Sequence, residues 1–269
     1  MAVQASTVVA PPKVELRDVS LRYFSPDTET EALQGIQLAI TPGEFVAIIG
    51  QSGCGKSTLL SLVSGILEPT GGQVLIDGKP VVGPSPKVGY MLQQDYLFEW
   101  RTILENTLLG AEIQYADMSA ARVRATQLLT RYGLGQFLHH TPRQLSGGMR
   151  QRVALARTLV TEPDVVLLDE PFSALDSQTR IALADEIADA LRREKKTAIL
   201  VTHDIGEAIA MAERVVVMSR RPGRIKSEYQ IRFAAPDGVR PGPFAARSAP
   251  EFNDYFKRLW EELEVHVEG

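Results

Sequence analysis

The sequence predicts an α/β fold with buried strands at its centre. An unbroken apolar run at 45–49 leads into a glycine-rich stretch at 50–58 and then a leucine-rich segment, which indicates strand, tight turn and helix. A second apolar run at 165–168 ends in two adjacent acids, Asp169 and Glu170. Strands that are apolar throughout are typical of sheets covered on both faces. We therefore expect polar groups to gather where these strands end, which is where such sheets bind ligands.

The stretch at 50–58 fits the phosphate-binding pattern G-x-x-x-x-G-K-[ST]. Its glycines let backbone N–H groups curve around an anion, and the following helix N-terminus adds a favourable dipole. Lys56 is expected to reach terminal phosphates, and Ser57 to offer its hydroxyl to Mg²⁺. The alternative is a turn that only joins strand to helix, which the complete motif disfavours. The candidate loop residues are Gly50, Gln51, Ser52, Gly53, Cys54, Gly55, Lys56, Ser57 and Thr58.

Composition limits the classes of protein that this chain can be. Its 269 residues can hold one large domain or a domain with an appendage, and 44% hydrophobic residues suffice for a sizeable core. Asp and Glu (33) outnumber Lys and Arg (29), which disfavours a general nucleic-acid binder. The single cysteine, Cys54, forbids an intrachain disulfide and fits a reducing compartment. Its thiol is either acidified by the helix N-terminus and reactive, or an inert small side chain.

Residues 1–12 are expected to form a disordered arm. They lack the basic start of a signal peptide, and their short apolar patch ends at Pro11 and Pro12. No apolar run in the sequence is long enough to span a bilayer. Any role at a membrane is therefore expected to come through a partner or a surface.

The N-terminal part predicts an antiparallel sheet beside the strand that feeds the phosphate loop. Apolar residues alternate at 14–23, and further strands are expected around 36–40 and 73–78. Tyr23 is open to two interpretations. The residues alone favour an ordinary strand aromatic, and the alternative is a ring that stacks on adenine.

The middle of the chain carries a second glycine-rich turn. A strand at 88–92 ends at Gln93, and from about 100 to 137 the pattern becomes helical. Residues 145–152, Leu-Ser-Gly-Gly-Met-Arg-Gln-Arg, then open another helix, with Ser146 as its N-cap. The exposed N–H groups of this turn predict a second anion-binding site.

The two acids are candidates for metal and water chemistry. Asp169 can hold Mg²⁺ through its water shell, and Glu170 can orient or deprotonate a water for in-line attack. The alternative, a solvated strand end, is disfavoured beside a phosphate loop. A later apolar strand at 197–202 ends at His203. A lone histidine there is usually structural, but its strand is expected to neighbour that of Asp169, which favours a γ-phosphate contact.

After a last core strand at 215–218, residues 231–269 predict a linker and an amphipathic helix. Residues 233–250 are rich in Pro, Gly and Ala. Ser248 and Glu251 fit a capping box, and apolar residues then recur at helical spacing. This stripe is expected to dock on the chain's own surface, with contact to a partner as the alternative.

Residues 14–226 closely resemble the ATP-binding subunit of an ABC transporter, with the motifs in that family's order. The stretch 50–58 is similar to the Walker A loop, 145–151 to the ABC signature and 165–170 to the Walker B strand. Ordinary phosphate-loop ATPases lack the signature, which makes the match highly specific. The other matches are Tyr23 with the adenine-stacking aromatic, Gln93 with the Q-loop glutamine, 173–176 with the D-loop and His203 with the switch histidine.

The resemblance implies a fold and a set of site residues. The fold is a phosphate-loop (RecA-like) core with an N-terminal antiparallel β subdomain and an inserted helical signature subdomain at about 95–160, within an ATPase domain of 13–230. The cofactors are ATP and Mg²⁺. The ATP site of one chain is completed in trans by a second chain's Ser146, Gly147 and Gly148. The implied catalytic residues are Glu170, His203, Lys56 and Gln93, and the implied Mg²⁺ ligands are Ser57, Gln93 and, through water, Asp169.

The resemblance also implies partners and a location. The chain would pair with a second ATP-binding subunit, as a homodimer, and with transmembrane permease subunits, while a solute-binding protein acts indirectly and nucleic acid has no part. It would be cytoplasmic, peripheral on the inner face of the cell membrane. Residues 97–102 and 219–225 look like those of importers of nitrate, sulfonate, taurine and related anions. Glu99 departs from them, because those sequences usually carry proline there.

The sequence disfavours two other functions and leaves a third open. A soluble ABC ATPase that remodels nucleic acid or ribosomes is disfavoured by the single cassette, the lack of sustained heptads and the acidic balance. A nucleotide-gated regulatory protein that hardly hydrolyses ATP is disfavoured by Glu170 and His203. The ATPase of an exporter remains an alternative, because the membrane partner sets the direction of transport.

Overall fold

Two β-sheets organise the part of the chain that the structure, a computed structural model, describes: residues 11–25, 28–114, 116–173, 175–234 and 240–264. The expected arm lies outside this part except for its last two residues. The strands are β1 (Val14–Ser25), β2 (Thr28–Ile40), β3 (Phe45–Ile49), β4 (Gly71–Ile76), β5 (Lys79–Pro80), β6 (Val88–Met91), β7 (Val165–Asp169), β8 (Thr197–Thr202), β9 (Arg214–Met218) and β10 (Ile225–Gln230). The α-helices are α1 (Lys56–Val63), α2 (Ile103–Ile113), α3 (Met118–Arg131), α4 (Gly147–Leu159), α5 (Ser177–Arg193), α6 (Ile205–Met211), α7 (Pro243–Ala246) and α8 (Pro250–Glu264).

The larger sheet has six strands in the order β10-β9-β3-β8-β7-β6. Five of them run parallel, and β10 pairs antiparallel with β9 at one edge. Every residue of β3, β7 and β8 is buried, as the unbroken apolar runs predict. The predicted α/β fold is therefore confirmed. The sequence does not predict β10, because its side chains alternate between half-buried and exposed and form no apolar run.

The smaller sheet, β2-β1-β4-β5, is antiparallel throughout, as predicted. Its apolar side packs, together with α1, over one face of the larger sheet. Alternation along β3 places Val46 and Ile48 in this core, and Ala47 and Ile49 in the core on the opposite face. The strand that feeds the phosphate loop is therefore held between two apolar cores.

The predicted helical stretch at 100–137 contains two helices, α2 and α3, which pack on each other and on α4. A capping box begins α2: Thr102 and Glu105 each accept a hydrogen bond from the other's backbone N–H. Leu108 and Leu155 are buried between these helices and the larger sheet. Among the described residues, no helix combines the length and apolarity needed to cross a bilayer.

The C-terminal helix α8 docks on the chain's own surface, as expected. It packs against α6, and its Phe252 and Leu259 are buried. The stripe is only partly covered, because Phe256 and Trp260 remain 37% and 47% exposed. These two rings stack on each other, with centroids 6.0 Å apart.

The start of α8 differs from the prediction. The helix begins at Pro250, and the capping box predicted for Ser248 and Glu251 is wrong. The Glu251 carboxylate instead accepts a hydrogen bond from the backbone N–H of Ala234 at 2.9 Å, which lowers the pKa of Glu251. This carboxylate therefore fixes Ala234 near the start of the linker, while linker residues 235–239 lie outside the described part.

Candidate functional site

The phosphate loop joins β3 to α1 and takes the conformation that its glycines predict. Gly53 and Gly55 have φ values of 75° and 107°, in the left-handed region that other residues rarely adopt. A Cβ atom on Gly55 would lie 2.7 Å from Cδ2 of Leu33 on β2 and 3.1 Å from the carbonyl oxygen of Ala32, so a larger residue would be strained in this backbone and would displace Leu33. The first N–H groups of α1 have no partner within the helix, as an anion site requires.

The ammonium group of Lys56 is buried within the loop. This residue is 6% exposed, and its Nζ donates to the carbonyl oxygens of Gly50 at 2.8 Å and Gln51 at 3.0 Å. These bonds fix the long side chain in one position. The loop therefore carries a fixed positive charge among its backbone N–H groups.

A cleft of 280 Å³ opens beside the loop and contains many of the predicted site residues. Tyr23 is 45% exposed, and its hydroxyl lies 3.4 Å from Oγ1 of Thr58. An exposed ring on the cleft wall can stack on a flat ligand. The cleft is lined by Tyr23, Ala32, Ser52, Gly53, Gly55, Lys56, Ser57, Thr58, Gln93, Glu170 and Arg221.

Asp169 lies next to Ser57 at the end of β7. Its Oδ1 accepts a hydrogen bond from the Ser57 hydroxyl at 3.0 Å, and its Oδ2 accepts one from the Tyr90 hydroxyl at 3.2 Å. Burial raises the pKa of Asp169 in spite of these two bonds. A hydroxyl and a carboxylate are oxygen donors of the kind that Mg²⁺ prefers. Ser57 and Asp169 therefore fit the ion that the sequence predicts there.

Glu170 contacts two other residues that are predicted to be catalytic, Gln93 and His203. Its Oε2 lies 3.2 Å from Nε2 of Gln93 and 3.2 Å from Nδ1 of His203. The pairing of β7 with β8 creates this contact, and the Glu170 N–H donates to the carbonyl of Val201 at 2.8 Å. The backbone of Glu170 is left-handed, with φ of 44°, which non-glycine residues rarely adopt.

The second glycine turn lies away from this cleft. Ser146 caps α4, as predicted, and its hydroxyl accepts from the N–H of Met149 at 3.4 Å. Gly148 packs closely on α5, since an added Cβ would lie 2.8 Å from Thr179. Ser146, Gly147 and Gly148 are all among the described residues, and none of them lines the cleft. If this turn binds the nucleotide held by the phosphate loop, it does so from another copy of the chain.

Cys54 is buried in the core that the antiparallel sheet covers. Burial raises the pKa of its thiol, and the charge of nearby Lys56 opposes this shift only in part. Of the two alternatives that the sequence leaves open, the reactive acidified thiol is contradicted and the inert side chain is supported.

We expect Cys54 to react slowly with iodoacetamide at neutral pH. The thiolate is the reactive form. Because the pKa of Cys54 is raised, the labelling rate should continue to increase with pH above the ordinary cysteine pKa of about 8.5. Mass spectrometry of a pH series measures this rate, with the urea-unfolded chain as the control. Labelling of the folded protein at pH 7 as fast as that of the unfolded chain would contradict the burial and the raised pKa.

The structure brings three residues to the site that the sequence does not predict. Ala32 and Arg221 line the cleft, and Tyr90 binds Asp169. The sequence could have predicted Tyr90 near the site, because Tyr90 lies in the strand that ends at Gln93. The carboxyl ends of parallel strands meet at one edge of a sheet, where the site residues gather. No local pattern shows that Ala32 or Arg221 reaches the cleft.

Comparisons with known proteins agree with this geometry. A family model described as ABC transporter matches residues 33–173. The chain is 45% identical over 245 residues to the uncharacterized ABC transporter ATP-binding protein YtlC of Bacillus subtilis, covering 91% of this chain and 93% of that protein. It is 40% identical over 261 residues to the taurine import ATP-binding protein TauB of Roseobacter denitrificans, covering 95% and 97%.

The fold is also similar to that of a solved ATP-binding cassette. The dimeric structure of a post-hydrolysis state of MJ0796, bound to ADP and Pi, matches with a TM-score of 0.73 and 34% identity. The match covers 82% of this chain and 100% of that one. Together with the family match, these similarities show that the chain belongs to the ABC transporter family, as an ATP-binding subunit with ATPase activity.

Proposed function

We propose that the chain is the ATP-hydrolysing subunit of an importer for a small anion such as nitrate, a sulfonate or taurine. The observation that carries the catalytic part is the Glu170 carboxylate, which Gln93 and His203 contact beside the cleft that holds Lys56. Relatives named as taurine import ATP-binding proteins support the importer part.

Nucleotide binding is proposed to use both walls of the cleft. Tyr23 stacks on the adenine, and the loop at 50–58 surrounds the phosphates with backbone N–H groups. The side chains of Gln51 and Cys54 bond or pack elsewhere, so their contribution comes from the backbone. Lys56 neutralises charge on the terminal phosphates.

Hydrolysis is proposed to depend on the groups at the ends of β6, β7 and β8. Glu170 orients the attacking water and accepts its proton, while His203 steadies the γ-phosphate. Ser57 and Gln93 would hold Mg²⁺ directly and Asp169 through water. When bound, the ion neutralises charge that develops on the phosphoryl oxygens.

A second copy of the chain is proposed to complete the site. The first turn of α4 offers N–H groups that its own cleft does not use, and two-fold pairing would place them over the partner's nucleotide. Ser146, Gly147 and Gly148 then contact the γ-phosphate in trans. ATP stabilises the closed pair more than ADP does, because a ligand shifts an equilibrium only through differential contacts. The dimeric state named for MJ0796 supports this arrangement.

Gln93 is proposed to transmit closure to the helices. The segment that follows it is bonded to α4: Arg157 donates to the carbonyl oxygens of Asp95 and Tyr96, and Arg150 donates to the Asp95 carboxylate at 3.0 Å. A movement of α4 would therefore move this segment, which lines a groove where a permease loop is proposed to bind.

The proposed partners are transmembrane permease subunits and, indirectly, a solute-binding protein. The chain would lie at the cytoplasmic face of the membrane, with no role for nucleic acid. The similarity at 97–102 and 219–225 supports the anion subgroup. Glu99 departs from that subgroup and forms an exposed ion pair with Arg143 at 3.1 Å. Such a pair adds little stability, so Glu99 changes the charge of the proposed groove more than it changes the fold.

Transport by the assembled complex tests the proposal. The chain is co-expressed with any permease and solute-binding protein encoded beside its own gene, purified and reconstituted in liposomes that contain MgATP. We expect co-purification with the permease and uptake of taurine, a sulfonate or nitrate, with the Glu170→Gln complex as the inactive control. Recovery with ribosomes or nucleic acid, or efflux in place of uptake, would contradict the importer.

A further inference from the structure

The loop after β9, residues 219–224, connects two walls of the nucleotide cleft. On one side it is bonded to β2, where the Gly223 N–H donates to the Ala32 carbonyl at 2.9 Å and the Gln34 N–H donates to the Gly223 carbonyl at 3.0 Å. On the other side, Nη2 of Arg221 donates to the carbonyl of Gly53 at 3.2 Å. The loop therefore bridges the strand that carries Ala32 and the phosphate loop.

The backbone of this loop is fixed directly against the phosphate loop. A Cβ atom on Gly223 would lie 2.2 Å from the carbonyl oxygen of Cys54, so the two segments approach as closely as only glycine permits. A further bond, from Nε of Arg220 to Oε1 of Gln51 at 2.8 Å, joins the same two segments. The position from which the Arg221 side chain extends is thus determined by several contacts.

We propose that Arg221 is a nucleotide-binding residue that contacts the segment of the nucleotide between its base and its β-phosphate, namely the ribose and the α-phosphate. The proposal rests on the nucleotide site proposed above. Arg221 lines the same cleft as Tyr23 and Ala32 on the base side and as Lys56 on the phosphate side. Its loop is anchored to both sides, which places the guanidinium beside the middle of a bound nucleotide.

The chemistry of the side chain suits that role. The bond to Gly53 uses one of the five N–H groups of the guanidinium, and the planar group can present two others to a phosphate or a pair of hydroxyls. Lys56 is buried among the carbonyls of Gly50 and Gln51, so it is a separate cation that serves the terminal phosphates. Arg221 is exposed and extends the positive charge of the cleft away from that position.

Arg221→Ala is expected to weaken the binding of MgATP and MgADP by the same factor, about tenfold, because a charge-assisted hydrogen bond to a group common to both is removed. The KM for ATP should rise with little change in kcat, since the contact is made equally in the ground and transition states. Arg221→Lys, which retains the charge but not the planar fork, should lose less affinity. Isothermal calorimetry and steady-state phosphate release measure these effects.

Arg224→Ala is the matched control. Arg224 belongs to the same loop and is bonded to Gln34, but it is not among the residues that line the cleft. We expect its nucleotide affinities to equal those of the wild type. The melting temperature of each variant without nucleotide identifies any loss of folding. If Arg221→Ala is unfolded, the nucleotide affinities of Arg221→Lys are compared with those of the wild type and of Arg224→Ala.

Three results would overturn the proposal: unchanged affinities in Arg221→Ala, a loss confined to MgATP, or an equal loss in Arg224→Ala. The first two would show that Arg221 does not contact the shared part of the nucleotide. The third would show that the loop acts only through its structure. Failure of the wild type itself to bind MgATP would reject the nucleotide site as a whole and is distinguishable from all three.

Discussion

Replacing Glu170 by Gln is expected to lower ATP hydrolysis by about 10²–10⁴-fold, the usual contribution of general base catalysis, while MgATP still binds. The amide has the same shape and keeps an oxygen that can accept the hydrogen bond from Gln93 and lie beside His203. It cannot accept the proton of the attacking water. Steady-state phosphate release measures turnover, and calorimetry measures binding.

Glu162→Gln is a suitable control for this variant. Glu162 precedes β7 at the end opposite to Glu170, is 64% exposed and pairs with Arg124 at 2.8 Å. Glu162 also has a positive φ, of 55°, so its backbone conformation is similar to that of Glu170. Both variants replace a carboxylate with an amide. The control should hydrolyse ATP at the wild-type rate. Near-normal hydrolysis by Glu170→Gln would refute the proposed role of Glu170.

Lys56→Ala is expected to weaken MgATP binding by about 100-fold or more, because a cation that makes charge-assisted hydrogen bonds to the terminal phosphates is lost. The effect should be larger than that of any other single change in the loop, since Lys56 is its only Lys or Arg side chain. Calorimetric titration of MgATP measures the affinity. An unchanged dissociation constant would reject the assignment of the loop.

The Lys56 variant needs a structural control, because the ammonium also bonds the carbonyl oxygens of Gly50 and Gln51. Its melting temperature without nucleotide separates a loss of folding from a loss of binding. Lys87→Ala serves as the matched charge change, since Lys87 is 56% exposed and forms a surface ion pair with Asp77. We expect this control to bind MgATP like the wild type.

Much of the fold and site follows from short stretches of sequence. The phosphate loop, the capped start of α4 and the two acids at the end of β7 are local patterns, and each is fixed by a few neighbouring residues. Proximity of Glu170 and His203 is partly predictable, because fully apolar runs indicate strands of a covered parallel sheet, whose polar carboxyl ends lie along one edge. That their two strands are direct neighbours is shown only by the structure.

Other features depend on contacts between distant residues, which no local pattern encodes. Arg221 and Gly53 are 168 residues apart, and Gln51 and Leu263 are 212 apart, yet both pairs are hydrogen-bonded. The capping box at Ser248 fails for the same reason, since the Glu251 carboxylate accepts its hydrogen bond from Ala234, 17 residues earlier in the chain. Such contacts appear only when the packing of whole elements is known.

The backbone at Glu170 has a consequence for adaptation to heat. A left-handed conformation costs a residue with a side chain about 1–2 kcal/mol, and glycine would avoid most of that cost. Selection for melting temperature alone would therefore favour glycine at 170 and remove the carboxylate that turnover requires. Thermal stability and ATP turnover therefore conflict at position 170, so a thermostable variant that still hydrolyses ATP must gain its extra stability at other positions.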